Sequence, residues 1–237
     1  MSCKHRLDID GLRAIAVIFV ILFHLNKHWL SGGFIGVDVF FVISGFLITK
    51  IIYSEITENK FNFSRFYRKR INRIIPVFFV VIFSSYFFAW YLLYADEFLL
   101  FTKSMVSAAL FCGNIFFAVN TGGYFDLSSN QMPLLHTWSL SVEEQFYIIF
   151  PFILISLVRV ECKYNIKITL PALIVMALSS FALAQISPSY SFLIKYNYYS
   201  LITGRAGELL IGSIAGIYSL KRERFKHGYI KLDEVAS

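Results

Sequence analysis

The sequence predicts an all-α protein, a polytopic transmembrane helix bundle with about seven membrane spans. The chain has 237 residues, of which 57% are hydrophobic and 18% aromatic, and its mean hydropathy is +0.63. Only 16% of the residues are charged, too few to cover the surface of a soluble domain of this size. Apolar runs of roughly 20 residues recur along the chain, and each is long enough to cross a hydrocarbon core of about 30 Å.

The net charge of +7 comes from basic residues that stand beside the apolar runs. This pattern favours cytoplasmic flanks that obey the positive-inside rule, with membrane lipids and no nucleic acid as partners. The basic segment Met1–Arg6 predicts a cytoplasmic N-terminus. A cleavable signal peptide has small residues at the end of its apolar run, whereas this chain has His24 and Lys27 there. A cleavable signal peptide is therefore not predicted.

The three cysteines, Cys3, Cys112 and Cys162, have neither a CxxC pairing nor the spacing of metal ligands. They are interpreted as unpaired thiols, and no metal site is predicted.

The first predicted span, residues 11–27, contains two ionisable side chains, Arg13 and His24. Eleven residues at about 100° each return to nearly the same direction, so both side chains lie on one helix face, roughly 16 Å apart along the axis. Ionisable groups at membrane depth are costly, and they normally face a polar cavity and have a function.

The second span, residues 34–52, contains Asp38 and Ser44. Asp38 stands early in this span, which predicts the same outer level as His24. Its carboxylate could orient the imidazole or stabilise its protonated form. A hydrogen-bonded residue at the membrane surface explains Asp38 equally well.

The basic segment 53–73 ends in SRFYRKRINRIIP, where aromatic and aliphatic residues alternate with cations. This composition suits an amphipathic helix at the membrane interface. Arg70 and Arg73 are spaced i, i+3 and could grip a phosphate group together. A simple topology anchor is the alternative interpretation of the same residues.

Spans three and four are predicted at residues 74–95 and 98–119, followed by a loop and then by LLHTWSLSVEEQFYIIFP at the start of span five, residues 145–160. Ser141 and Glu144 fit a capping box, whereas a second carboxylate, Glu143, has no such explanation. Several side chains of this stretch are predicted to support a substrate or the structure: His136, Trp138, Glu143, Glu144 and Tyr147.

Spans six and seven are predicted at residues 168–186 and 203–220. The Gly212-xxx-Gly216 pattern indicates close helix approach, and Arg205 and Glu208 can pair at i, i+3. The membrane domain is assigned to residues 1–220 and a charged tail to residues 221–237.

The predicted topology conflicts with the distribution of charge. With the N-terminus inside, seven crossings put Lys221–Lys226 outside, together with Arg159, Lys163 and Lys167. Either one apolar run does not cross the membrane, or the positive-inside rule is weak in this half of the chain.

Four stretches in the same order resemble the acyltransferase-3 family of membrane acyltransferases, which includes O-antigen acetylases. They are DIDGLRAIAVIFVILFHL with its Arg-x10-His spacing, GGFIGVDVFFVISGFLIT, FYRKRINRIIP and LLHTWSLSVEEQFYIIFP. A fifth stretch, TGRAGELLIGSIAG, is similar to a later family helix but lacks the tryptophan expected before Glu208. The resemblance covers residues 6–218.

The resemblance implies transfer of an acyl group, most often acetyl, from acetyl-CoA or another acyl-CoA to a hydroxyl of a cell-envelope carbohydrate. The acceptor would be a lipid-linked glycan or a polysaccharide such as O-antigen in lipopolysaccharide. The protein would lie in the inner membrane, with acyl-CoA as a substrate and no bound cofactor. His24 corresponds to the catalytic histidine and Arg13 to its paired arginine, while Arg70 and Arg73 correspond to the donor-binding motif.

The chemistry fits these residue types. Transfer from a thioester to a hydroxyl needs a base near neutral pH, and histidine is best suited to that task. Direct transfer with His24 as general base is the leading hypothesis, with Asp38 as its catalytic partner, and an acyl-enzyme at His24 or Ser44 is the alternative.

The chain is shorter than the family pattern, which has about ten spans. We therefore expect an incomplete domain, either inactive or completed by a separate polypeptide. A transporter in which Arg13, His24, Asp38 and Glu208 line a polar pathway is the remaining alternative.

Overall fold

A computed structural model describes residues 7–26, 28–120, 132–186, 200 and 204–235 of the chain. The described residues form α-helices and no β-strand, which confirms the all-α prediction. In chain order the helices are α1 (Leu7–Leu25), α2 (Ile35–Thr57), α3 (Phe63–Leu92), α4 (Ala95–Ala109), α5 (Gly113–Asn120), α6 (Thr137–Tyr164), α7 (Thr169–Ile186) and α8 (Ala206–Val235).

Among the described helices, α2, α3 and α6 are long and apolar enough to cross a membrane. Helix α7 contains a shorter apolar stretch, Thr169–Gln185, while α1 and α8 include several charged residues. Most of the apolar surface of α3 is exposed, as for Phe83 at 67% and Trp90 at 67%. Such a surface suits contact with lipid. The count of seven spans stays a prediction.

The chain divides into two compact units. Unit 1 contains Met1–Ser54, Phe150–Leu183 and Arg205–Ser237, and unit 2 contains Glu55–Ile149 and Ala184–Gly204.

In unit 1, α1 and α2 pack closely because glycines face α1. A Cβ atom at Gly33 would lie 2.8 Å from Cβ of Phe23, and one at Gly36 would lie 2.8 Å from Cγ2 of Val20. Gly33, just before α2, lies against Phe23, whereas Gly36 in the first turn of α2 lies against Val20, so the contacts move back along α1 as the chain advances. The two helices are therefore antiparallel.

Helix α8 packs against α2 through the predicted small-residue pattern, which is confirmed. A Cβ atom at Gly212 would collide with the carbonyl of Val42, and one at Gly216 would lie 3.5 Å from Cβ of Thr49. The contacts advance along both helices in the same direction, so α8 runs parallel to α2.

Replacing Gly212 with Leu should separate these two helices. The new Cβ atom would lie 2.8 Å from the backbone nitrogen of Phe46, which cannot move without shifting α2. We expect a loss of about 1–3 kcal/mol in the free energy of unfolding, measured in detergent, as for other overpacked sites. Leu at Ala215, which is exposed on the same helix, is the matched control and should change little.

The remaining helices of unit 1 alternate in direction. The Glu161 carboxylate accepts a hydrogen bond from the backbone nitrogen of Thr169 at 3.0 Å, across a short turn in which Asn165 has a φ of 52°. The backbone nitrogen of Gly207 donates to Oγ of Ser180 at 3.1 Å. The end of α6, α7 and α8 therefore form an antiparallel series.

These directions explain the conflict between predicted topology and charge. If α2 and α8 both cross the membrane in the same direction, the chain between them must cross it an odd number of times. The sequence predicts four spans between these two helices. Predicted span four, residues 98–119, is wrong as a single helix because the structure divides it into α4 and α5. Phe111 lies in the break, with a φ of 54°.

In unit 2, the predicted boundary between an interfacial helix and span three is wrong, because α3 continues through Pro76. Helix α3 begins where the side chain of Asn62 accepts a hydrogen bond from the backbone nitrogen of Arg65 at 3.0 Å. A proline costs a helix one backbone hydrogen bond, and transmembrane helices tolerate that loss more readily than soluble ones.

Candidate functional site

His24 lies in the last turn of α1 with its ring exposed. Its Nδ1 atom is 2.8 Å from the carbonyl oxygen of Val20, one turn earlier. A carbonyl oxygen can only accept a hydrogen bond, so Nδ1 must carry the proton. In the neutral ring, Nε2 then has a free lone pair, and among the described residues no hydrogen bond to it is found, while Phe23 packs edge-to-face against the ring. This tautomer leaves Nε2 as the nitrogen that can accept a proton, as a general base does.

Arg13, also on α1, is half-buried. Its Nε atom is buried and has no hydrogen-bond acceptor within the described part of the chain. A buried donor without an acceptor is costly. Arg13 is therefore a candidate for contact with an oxygen atom of a ligand.

Asp38 pairs with Arg205, and no hydrogen bond between Asp38 and His24 is found among the described residues, so the interpretation of Asp38 as a hydrogen-bonded residue fits the structure better than a carboxylate–imidazole pair. Its Oδ1 atom lies 2.6 Å from Nη1 of Arg205, and the same nitrogen is 3.3 Å from Oε1 of Glu208. The predicted pairing of Arg205 with Glu208 is confirmed. A guanidinium outcompetes a neutral imidazole for a carboxylate because it is always charged.

His24, Asp38 and Arg205 lie toward one end of unit 1, whereas Arg13 lies in the first half of α1. His24 is at the end of α1, while Asp38 and Arg205 stand at the starts of α2 and α8. The opposite end is basic. Lys167 and Lys221 both interact electrostatically with Glu161 there.

In unit 2, Arg70 is held by two residues of α6. Its Nη2 atom lies 3.2 Å from Oε1 of Glu144, and its guanidinium carbon lies 3.4 Å from the ring centroid of Tyr147. Arg73 is exposed. The structure thus engages Arg70 with a carboxylate and an aromatic ring in place of the predicted joint grip with Arg73. The role of both arginines toward a donor stays a prediction.

The predicted capping box at Ser141 and Glu144 is wrong, because α6 begins at Thr137. Oγ of Ser141 donates to the carbonyl of Thr137 at 3.0 Å and accepts from the backbone nitrogen of Gly113 at 3.1 Å. Ser141 therefore connects α6 to the start of α5.

Gln145 and Asn114 form a pair that sequence reasoning missed. Their side-chain amides exchange hydrogen bonds of 2.8 and 3.2 Å, and Gln145 also donates to the carbonyl of Phe111 at 2.9 Å. The polar residues of the HTWSLSVEEQFY stretch thus hold the break between α4 and α5. Only the four-residue spacing of Ser141 and Gln145 could have indicated this face of α6.

The remaining candidates of the sequence analysis are the possible nucleophile Ser44 and the support residues Trp138, Glu143 and His136. Ser44 and Trp138 are buried, Glu143 is half-buried and His136 is exposed, and each has contacts within the protein. Cys112 and Cys162 are free thiols, as predicted, whereas Cys3 lies outside the described residues. Within the described ranges, no group of His, Cys, Asp and Glu side chains could hold a metal ion.

Removing the Arg70 side chain should destabilise unit 2. In Arg70→Met, the half-buried Glu144 carboxylate loses its cation, and we expect a loss of about 1–3 kcal/mol in the free energy of unfolding. The double variant with Glu144→Gln should recover part of the loss. Arg73→Met is the matched control. An equal effect of both single variants would contradict the structural role of Arg70.

Comparison with known proteins gives one family. A family model described as "Acyltransferase domain" matches residues 6–232. A Staphylococcus aureus (strain COL) protein named "Putative O-acetyltransferase" is 41% identical over 160 residues, 67% of this chain and 26% of the relative. A Bacillus subtilis (strain 168) protein named "Putative peptidoglycan O-acetyltransferase" is 42% identical over 149 residues, 62% of this chain and 23% of the relative.

This chain spans about a quarter of the length of those two relatives. An uncharacterised protein of Haemophilus influenzae (strain Rd) is 42% identical over 183 residues, which cover 76% of this chain and 74% of that protein. No solved structure gave a significant match.

Proposed function

Since the chain belongs to this acyltransferase-3 family of membrane proteins, we propose that it is an O-acyltransferase that moves an acyl group, most often acetyl, from the matching acyl-CoA to a hydroxyl of a cell-envelope carbohydrate. The observation that carries the proposal is the hydrogen bond from Nδ1 of His24 to the carbonyl of Val20. It orients the ring and leaves Nε2 as the basic atom.

In the proposed reaction, Nε2 of His24 removes the proton from the acceptor hydroxyl. The resulting oxygen nucleophile attacks the thioester carbonyl, and a new ester bond forms as the carbon–sulfur bond breaks. The coenzyme leaves as a thiol after it receives the proton from His24. The buried Nε of Arg13 lies roughly 16 Å from His24 along α1, so we propose that it contacts an oxygen atom of the donor away from the reacting carbonyl.

For the two donor-binding candidates, we propose different tasks. Arg73 is exposed and can meet a phosphate of the coenzyme directly. Arg70 is tied to Glu144 and Tyr147 and acts as a positioning residue for the start of α3.

The proposed acceptor is an envelope polysaccharide. The resemblance favours O-antigen, whereas the name of the Bacillus subtilis relative contains peptidoglycan. Both polymers carry sugar hydroxyls that an acetyl group can esterify, and the product of the reaction would distinguish them.

We also propose an orientation in the inner membrane. Basic side chains mark the cytoplasmic side of membrane proteins. The basic end of unit 1, with Lys167 and Lys221, is therefore cytoplasmic, as is the N-terminus. His24 then lies toward the outer side, where envelope glycans are found.

The transporter alternative has less support. Asp38 and Glu208, which would line the polar pathway, are both bound to Arg205. Charges neutralised in this way do not present a free row of polar groups to a permeating solute.

The proposed function is tested by glycan mass spectrometry. The intact protein is expressed in a strain that lacks its own members of this family, and the envelope glycans are compared with those of an empty-vector strain. A gained acetyl mass on the glycan supports the proposal. Unmodified glycans in cells that contain the inserted protein would refute it.

A further inference from the structure

The ion cluster of unit 1 contains a carboxylate oxygen that lacks a hydrogen-bond donor. Nη1 of Arg205 contacts Oδ1 of Asp38 at 2.6 Å and Oε1 of Glu208 at 3.3 Å, so two carboxylates share one nitrogen. The other oxygen of Glu208, Oε2, is buried, and no donor contacts it within the described part of the chain. A buried acceptor without a donor costs free energy, which a bound donor would recover.

Glu208 lies on the face of α8 between α2 and α7. Gly212 packs against the carbonyl of Val42 in α2, whereas Gly207 packs against the ring of Phe181 in α7. At about 100° per residue, Glu208 is roughly 100° from Gly207 and roughly 40° from Gly212, within the arc between them. The Phe181 ring therefore neighbours Glu208 on the α7 side.

The cluster is open to a ligand through Asp38. The Asp38 side chain is 31% exposed, compared with 11% for Arg205 and 16% for Glu208. Phe181 is 37% exposed. A ligand that enters beside Asp38 would meet carboxylate oxygens and an aromatic ring in one place.

This combination matches the chemistry of a sugar. Hydroxyl groups on neighbouring ring carbons can donate hydrogen bonds to two adjacent carboxylates, and the C–H face of the ring can pack on an aromatic side chain. A phosphate group fits poorly, because it offers no donor to Oε2 of Glu208 and is repelled by both carboxylates.

We infer that the Asp38–Arg205–Glu208 cluster binds the acceptor glycan, with Oε2 of Glu208 accepting a hydrogen bond from a sugar hydroxyl and Phe181 packing on the sugar ring. The cluster stands at the same end of unit 1 as His24, which suits an acceptor. The inference deepens the proposed function by giving the acceptor a site, and it rests on that function for the identity of the glycan.

The test measures binding to the intact protein in phosphatidylcholine nanodiscs. The probe is polysaccharide extracted from the envelope of cells that express the protein naturally. E208Q replaces Oε2 with an NH2 group of similar size, which donates hydrogen bonds, while the amide oxygen can still accept from Arg205. F181L keeps an apolar side chain against Gly207 but removes the aromatic ring.

E55Q is the matched control. Glu55 is also a carboxylate paired with an arginine, Arg65, at 3.3 Å, but it lies near the other end of α2. The unfolding temperature of each variant is measured in parallel, so that a loss of binding can be separated from a loss of folded protein.

We expect E208Q to weaken binding of the polysaccharide by about tenfold or more, because a hydrogen bond to a charged group is lost. F181L should weaken it by about threefold, and E55Q should bind like wild type. Undetectable binding by wild type, equal binding by wild type and E208Q, or equal losses in E208Q and E55Q would overturn the inference. If E208Q does not fold, F181L decides, and wild-type binding by F181L would overturn it. Binding that is lost in E208Q, without acyl transfer by wild type, would instead count against the proposed function.

Discussion

Replacing His24 with Ala should reduce acetyl transfer by about two to four orders of magnitude, the usual contribution of a positioned general base. The expected change is in the chemical step, because the His24 ring is exposed and its only described polar contact is with its own helix. The amount of membrane-inserted protein should therefore stay at the wild-type level. The measurement is acetyl incorporation into envelope glycan per inserted protein.

His28→Ala is the matched control, because His28 is exposed and close in sequence. It should retain wild-type activity. Half or more of the wild-type activity in His24→Ala would remove His24 from the mechanism. A similar loss in both variants would indicate a general disturbance at the end of α1.

Replacing Arg205 with Met should cost about 3–5 kcal/mol in the free energy of unfolding. The substitution keeps an apolar stem but leaves the carboxylates of Asp38 and Glu208 together without their shared cation. Since Arg205 joins the start of α8 to α2, the loss should be measured as a lower unfolding temperature or denaturant midpoint in detergent.

The triple variant R205M/D38N/E208Q tests the cause of that loss. Neutral amides no longer require a guanidinium, so most of the lost stability should return. If R205M is as stable as wild type, the ion cluster does not hold α8 against α2. If the triple variant is no better than R205M, the loss comes from packing and not from uncompensated charge.

The helices could be predicted because long apolar runs have few other stable solutions in a bilayer. Their boundaries could not. The break between α4 and α5 depends on Gln145 and Ser141, which belong to a helix far along the chain. The continuation of α3 through Pro76 depends on its surroundings and not on its own sequence.

The directions of α2 and α8 come from helix packing and could not be obtained from the positive-inside rule alone. Counting apolar runs gave four spans between α2 and α8 and left two basic clusters on the wrong side. The glycine contacts of Gly212 and Gly216 make α2 and α8 parallel, and if both helices cross the membrane an odd number of crossings must lie between them. No pattern in the α4–α5 region alone could identify the run that fails to form one helix.

Local partners in the site were easier to predict than distant ones. Arg205 and Glu208 are three residues apart on one helix, and their pairing follows from helix geometry. Asp38 and Arg205 are 167 residues apart, so their contact could not be read from spacing. The sequence predicts Asp38 and His24 at the same depth in the membrane, but equal depth does not imply that the two side chains are in contact.

The central claim is that His24 acts as the general base of acetyl transfer. Its most direct test is the rate of acetyl transfer to an acceptor glycan by the protein in proteoliposomes, for wild type and for His24→Ala with and without added imidazole. We predict transfer by wild type, almost none by the variant, and partial recovery as imidazole replaces the missing base. The claim would be contradicted if wild type transfers no acetyl group, or if His24→Ala transfers it at the wild-type rate without imidazole.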